Sequence, residues 1–178
     1  GQVAARVVNR TGQRIRRGLE RLPGVRARRA ARARRALAGA REVLFVCKGN
    51  ICRSPFAAAY LRGRLNGTPV RVSSAGYHPQ RDRSCPAEAQ AAARELNTDL
   101  STHRSRALDA EMVRTADAIF IFDQENYATV MARHPEARGK VHRLTVPDIR
   151  DPYGGTLDDF RRTYDRIRRA LDAALGAR

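Results

Sequence analysis

The stretch Cys47-Lys48-Gly49-Asn50-Ile51-Cys52-Arg53-Ser54-Pro55 brings together residue types that could do chemistry, in a Cys-x5-Arg spacing. Four apolar residues, Val43 to Val46, run straight into the cysteine. That pattern predicts a buried strand ending at Cys47. Ser54 and Pro55 form an N-cap and first-turn pair, so a helix is expected to begin there. A loop between a strand end and a helix start presents successive backbone N–H groups at the positive end of the helix, an arrangement that binds a dianion. Gly49 is expected to let the backbone turn and approach a ligand closely. Arg53 offers a bidentate grip on two phosphate oxygens, which lysine cannot reproduce. The same positive field favours the thiolate form of a cysteine, and the thiolate is the nucleophile. Residues Lys48, Gly49, Asn50, Ile51, Cys52, Arg53 and Ser54 are therefore predicted to cradle phosphate, with Cys47 as the nucleophile at the base.

Other phosphate loops do not fit. Neither G-x4-G-K-[ST] nor G-x-G-x-x-G occurs in the chain. Cys47 and Cys52 are not a C-x-x-C pair, so neither zinc nor a thioredoxin-like motif is indicated, and no cofactor or metal is implied. A strand-terminal cysteine is commonly just a small buried hydrophobe. The register of Gly49, Asn50, Arg53, Ser54 and Pro55 around it argues against that reading.

The elements that must position the loop follow from pattern. After the strand at Val43–Val46, Phe56, Tyr60, Leu61 and Leu65 line one helical face. Strands are expected at Val70–Ser74, Ala118–Phe122 and Val141–Val146. Helices are expected at Pro86–Leu96, started by Ser84 or Cys85, and near Gln124–Arg133. A last helix carries the stripe Phe160, Tyr164, Ile167, Leu171 and Leu175. Alternating strands and helices joined by right-handed crossovers make an α/β fold, an open parallel sheet with helices on both faces. Ligands of such sheets sit beyond the carboxyl ends of the strands, where Cys47 is placed.

The chain has 178 residues, enough for one domain with a full core. Its formal net charge is +17, unevenly placed: residues 1–42 hold thirteen Arg against Glu20 and Glu42. Residues 1–41 read as a basic Arg/Ala-rich extension, helical or disordered, ahead of a catalytic domain at 42–178. Ile15, Leu19 and Leu22 share helical spacing before Pro23-Gly24 interrupts it. The chain opens at Gly1 without Met, and Ala5 stands where a myristoylation signal wants Ser or Thr. Three cysteines, an odd number, give no disulfide framework and argue for a reducing, cytoplasmic setting. No apolar run reaches the length of a transmembrane helix, and no signal-peptide core follows the basic N-terminus.

The run VLFVCKGNICRSP resembles the signature of the low-molecular-weight protein tyrosine phosphatases. SSAG at Ser73–Gly76, LSTHRSRAL at Leu100–Leu108, ADAIFIF at Ala116–Phe122 and DPYGG at Asp151–Gly155 follow in that family's order. The likeness spans about residues 42–176. It implies a four-stranded parallel sheet of flavodoxin-like arrangement, the phosphotyrosine phosphatase I type. It also implies roles that spacing alone does not supply. Asp151 matches the general acid that protonates the leaving oxygen and then activates water. Ser54 matches a hydroxyl that stabilises the thiolate. Asn50, Ser74 and His103 match, with Ser54, the network holding the loop in shape. Tyr153 matches the aromatic wall of the substrate slot. Lys48 stands where the family usually has an apolar residue at the slot edge, and a second aromatic after Asp-Pro is replaced by Gly154. Tyr77 or His78 is expected on the opposite wall.

The implied activity is hydrolysis of protein phosphotyrosine through a cysteinyl-phosphate. A deep slot disfavours the shorter phosphoserine and phosphothreonine. Ile51 at the slot mouth favours a flat aromatic ring by burial. A phosphoarginine-specific branch of the same fold tends to carry Thr there, yet Gly154-Gly155 also looks like that branch. Arsenate reduction would need two relay cysteines well downstream, and Cys85 is the last one. A reading of another class is a polyanion- or partner-binding protein working through its basic arm. The expected partners are a phosphotyrosine protein, in bacterial relatives often a tyrosine kinase, and an anionic surface for residues 1–41; specific nucleic-acid recognition is not indicated. Cys47 and Cys52 are an expected redox pair, because a low-pKa thiolate oxidises first and a nearby thiol can resolve it.

Overall fold

The computed structural model describes residues 23–78 and 81–176. Its elements are α1 (Pro23–Ala38), β1 (Glu42–Cys47), α2 (Arg53–Arg64), β2 (Arg71–Gly76), α3 (Ala87–Arg94), α4 (Ala110–Thr115), β3 (Ala118–Ile121), α5 (Gln124–Arg133), β4 (Val141–Arg143) and α6 (Leu157–Leu175), with a 3-10 turn at Pro135–Ala137. The strands form one parallel sheet in the order β2-β1-β3-β4. This is the flavodoxin-like arrangement.

Side chains of successive strand residues point to opposite faces. Accordingly Val43, Phe45 and Cys47 join Ala118 and Phe120 in one core cluster with α1, α2, α3 and α6. Leu44 and Val46 join Ile119 and Ile121 in a second cluster with α4 and α5. Burial on both faces explains why β1 reads as an unbroken apolar run rather than an alternation. On α6, Phe160, Tyr164, Ile167 and Leu171 are buried as the stripe requires. A capping box between Thr156 and Asp159 starts that helix, and Gly176 in the left-handed region ends it.

Several boundaries differ from the sequence reading. Ser54 is not the N-cap: α2 begins at Arg53, Cys52 stands at the cap without a side-chain bond, and the Ser54 hydroxyl turns to the Cys47 sulfur instead. Pro86, not Ser84 or Cys85, precedes α3. The strand expected at Val141–Val146 stops at Arg143, ahead of the turn around Pro147. The short helix α4, capped by Asp109 accepting from Met112 N–H, was not anticipated. The expected stripe of Ile15, Leu19 and Leu22 lies outside the described residues.

The boundary drawn at residue 41/42 falls between α1 and β1. Helix α1 lies against the fold, with Ala33, Leu37 and Ala40 buried in the cluster that contains α6. Replacing a buried leucine by alanine typically costs about 2–5 kcal/mol. Leu37→Ala is expected to lose stability near the low end of that range, read by thermal or urea unfolding. A chain begun at Arg41 should unfold at lower temperature than the full chain. Equal unfolding curves would make α1 an accessory to the fold.

Candidate active site

The site lies at the carboxyl end of β1, where the sheet order places β2 on one side and β3 on the other. Between Cys47 and Arg53 the chain turns over the sheet edge. Among the described residues, the amides of Lys48 to Cys52 donate to no backbone carbonyl. Gly49 was expected to supply the unusual backbone conformation, but the left-handed residue is Asn50, at φ 53°. Asparagine tolerates that region because its side chain bonds locally.

The Asn50 side chain is buried and fully used. Its amide nitrogen donates to Ser54 Oγ and to Ser74 Oγ, each at 2.9 Å, and its oxygen accepts from Arg106 N–H at 3.0 Å. Since Ser54 Oγ accepts from Asn50, its own proton is left for the Cys47 sulfur, 3.0 Å away. His103 Nε2 lies 2.7 Å from the Asn50 carbonyl. Burial lowers the His103 pKa, against the Asn50 bond and with the help of Arg62, Arg106 and Arg104. The neutral ring thus carries its proton on Nε2 and donates to that carbonyl. The four residues expected as a network, Asn50, Ser54, Ser74 and His103, are brought together. Arg106, which also reaches Ser74 O at 2.8 Å, completes it.

Gly76 closes the same cluster from β2. A Cβ there would stand 2.7 Å from the Lys48 carbonyl and 2.9 Å from the Asn50 nitrogen. The loop can pass this close only over glycine. From below, the Tyr164 hydroxyl of α6 donates to the Cys52 carbonyl at 3.0 Å.

Arg53 is 1% exposed. Its Nη1 donates to Asp123 Oδ2 and to the Ile149 carbonyl, the latter at 2.9 Å, and its Nη2 donates to Asp151 Oδ2 at 2.9 Å. Its Nε is buried and has no hydrogen-bond partner among the described residues. Burial opposes the guanidinium charge, but Cys47, Asp151 and Asp123 outweigh it and raise the pKa. The Cys52 thiol is pushed well above its ordinary value, by burial first and then by Asp151 and Cys47. Cys85 is also buried, and its pKa is pushed up to about 12 by burial and by Cys47.

Above the sulfur is a cavity of about 360 Å3, lined by Cys47, Lys48, Gly49, Ile51, Cys52, His78, Arg83, Asp151 and Tyr153. Of the two residues expected opposite Tyr153, His78 is there. Tyr77 is 8% exposed, and its hydroxyl accepts from Asn126 in the interior. Tyr153 is 59% exposed. Arg83, which the sequence reading missed, lies over its ring at 5.7 Å and donates to its hydroxyl at 3.2 Å. Asp123 was also missed. Its position one residue past Phe122 at a strand end was the available signal. Gly154 and Gly155 serve the turn into α6: Gly154 has φ 77°, and a Cβ on Gly155 would meet Asp159 and the Pro152 carbonyl at 2.9 Å.

Comparison with known proteins gives these features a context. The family model described as low molecular weight phosphotyrosine protein phosphatase matches residues 42–177. The low molecular weight protein-tyrosine-phosphatase Etp of Escherichia coli (strain K12) is 40% identical over 133 residues, 72% of this chain and 88% of the relative. A protein-arginine-phosphatase of Geobacillus stearothermophilus is 33% identical over 138 residues, 74% of this chain and 91% of its own. The crystal structure of the Erwinia amylovora tyrosine phosphatase amsI superposes with a TM-score of 0.73 at 29% identity, covering 78% of this chain and 93% of that one. The chain belongs to the low molecular weight phosphotyrosine protein phosphatase family.

Proposed function

We propose that the protein hydrolyses phosphotyrosine in proteins, with Cys47 as nucleophile, Arg53 as phosphate ligand and Asp151 as general acid. The observation that carries this is the buried Arg53: its Nη1 is committed to Asp123 and Ile149, while its Nε has no partner and its Nη2 holds only Asp151. A phosphate at the loop offers oxygens to Nε and Nη2 together, the bidentate grip of a guanidinium. Free amides of the loop add donors where charge grows in the transition state.

The Cys47 thiolate, steadied by the Ser54 hydroxyl, attacks phosphorus and forms the S–P bond as the bond to the leaving oxygen breaks. Arriving phosphate takes Nη2 from Asp151; the freed carboxylate takes up the proton of the monoprotonated phosphate ester and passes it to that oxygen as the P–O bond breaks. Asp151 next takes a proton from water, whose oxygen attacks phosphorus, and the thiolate leaves. The exposed Tyr153 ring and Ile51 flank an aromatic substrate, and Lys48, His78 and Arg83 at the rim favour acidic residues around it. The basic N-terminal residues suit an anionic surface, and the thiol chemistry suits the cytoplasm. Among the described residues no helix is long and apolar enough to cross a membrane.

Cys47→Ser should lower kcat on an aryl phosphate by roughly a thousandfold or more, with binding of inorganic phosphate largely kept. Asp151→Asn should lower kcat roughly 10²–10⁴-fold on phenyl phosphate, whose leaving group is poor, and far less on an activated aryl ester. Equal losses on the two would remove Asp151 from the role of acid.

Phosphoarginine is the second reading, favoured by the similarity to protein-arginine-phosphatases. The turn geometry explains Gly154-Gly155 without it, since both positions restrict side chains. Phosphotyrosine peptides should therefore show the higher kcat/KM, and Ile51→Thr should shift the ratio toward phosphoarginine. A wild-type preference for phosphoarginine would reverse the assignment.

Peroxide should inactivate reversibly. The Cys47 thiolate becomes a sulfenic acid, and the Cys52 thiol displaces its oxygen as water to form a disulfide. In Cys52→Ser, activity lost to peroxide should not return on thiol treatment. Full recovery in that variant would reduce Cys52 to a packing role.

A further inference from the structure

A second cavity, about 610 Å3, opens at the β4 edge of the sheet, away from Cys47. One wall is α1, through Arg28, Arg29 and Arg32. The other is α5 and the approach to β4, through Tyr127, Arg138, His142 and Arg143. Among the described residues, no Asp or Glu lines it. Arg143 is paired with Asp148, and Arg29 has a contact of its own. Among the described residues, Arg28, Arg32 and Arg138 form no ion pair, and all three are exposed. Like charges gathered in one concavity repel each other and focus a positive field into it.

Two further observations mark this as a place for a ligand. His142 Nδ1 is buried there without a hydrogen-bond partner among the described residues. Only two large apolar side chains among the described residues stay exposed, Tyr153 at the active site and Tyr127 on this cavity's wall. The volume is in the range of small-molecule sites, about 300–1,000 Å3. The cavity also depends on α1, which precedes the segment shared with the family.

We propose that this cavity binds a ligand carrying a chain of linked phosphates, held by the guanidiniums of Arg28, Arg32 and Arg138. Three cations on facing walls match several negative charges spread along a chain better than the charge of a single phosphate. A concave pocket of this size admits a compact anion rather than a polymer that needs an extended basic stripe. Residues 1–22 are themselves net positive, with Arg6, Arg10, Arg14, Arg16, Arg17 and Arg21 against Glu20 alone. The phosphate chain could be inorganic or belong to a nucleotide, whose base would stack on Tyr127.

The test is calorimetric titration of the full chain with inorganic tripolyphosphate and with ATP, while benzylphosphonate saturates the active site. Saturable binding of one tripolyphosphate per chain is expected, weakened roughly tenfold or more by Arg32→Glu and by Arg138→Glu. Both substitutions are at exposed positions, and unchanged hydrolysis of an aryl phosphate would report an intact fold. Arg32→Gln and Arg138→Gln should weaken binding in the same direction by less. ATP binding tighter than tripolyphosphate, with the advantage lost in Tyr127→Ala, identifies the nucleotide; equal affinities identify the bare phosphate chain. Absence of saturable binding, displacement by benzylphosphonate, or unchanged affinity in the variants overturns the proposal. So does displacement by short duplex DNA at several sites per chain, which would assign the arginines to a general polyanion surface.

Discussion

The buried guanidinium of Arg53 is the constraint around which the rest is arranged. Removing a cation from water costs several kcal/mol unless carboxylates and carbonyls replace the water. Here the replacements come from widely separated parts of the chain: Asp123 past the end of β3, and Ile149 and Asp151 beyond β4. Asp123 also caps α5, its Oδ1 accepting from Asn126 N–H at 2.7 Å. The Ile149 N–H is tied back to the Phe122 carbonyl at 2.9 Å, and the Phe122 ring lies 5.6 Å from the guanidinium carbon. These partners can meet at one point only because β1, β3 and β4 are parallel neighbours whose carboxyl ends lie along one edge. The topology is therefore a requirement of the arginine's environment, and Cys47 takes its place at that edge because the strand before the loop ends there.

A second consequence concerns the loop's rigidity. Asn50 occupies the left-handed region while its side chain makes three hydrogen bonds, so the strain and the network hold each other in place. Gly76 lets β2 press against the loop, and Tyr164 fixes it from α6. Donors that are fixed before substrate arrives need not reorganise when charge develops on phosphate, which is where an enzyme of this kind gains most of its rate.

The strand–loop–helix arrangement of Cys47 to Ser54 was legible in the sequence because thiol, cation, turn and helix start are contiguous. The sheet was legible because strands covered on both faces give unbroken apolar runs. What was hidden arises from tertiary contact. Asp123 reads as an ordinary N-cap until Arg53 is found beside it. Arg83 and His78 reach the slot from a loop with no periodicity. Tyr77, adjacent to His78, turned inward because its hydroxyl finds Asn126. Helix α4 is six residues long, too short for a periodic signal. The burial of Ala33 and Leu37 could not be read from an Arg/Ala run, since alanine carries almost no hydrophobic contrast and its role appears only where α6 covers it.

The two cavities are joined through the segment that follows β4. Gln124 lines the arginine-walled cavity, and its N–H reaches Asp148 Oδ2 at 3.3 Å, while the preceding residue, Asp123, holds Arg53. Asp148 is paired with Arg143, whose side chain is nearly buried on the cavity floor. Arg166 of α6 grips the same turn through the Pro147 and Asp148 carbonyls, at 2.9 and 3.1 Å. Residues 147–151 thus run from a turn fastened on the cavity side to the carbonyl and carboxylate that hold Arg53. In the mechanism proposed above, Asp151 is the member of this segment that moves, and the turn preceding it is held by Arg143, Arg166 and the Gln124 N–H. Those bonds fasten the turn, while the Asp151 side chain, 35% exposed, has room to turn. That is the condition under which a carboxylate can exchange an arginine for a leaving group without losing the arginine's other partners.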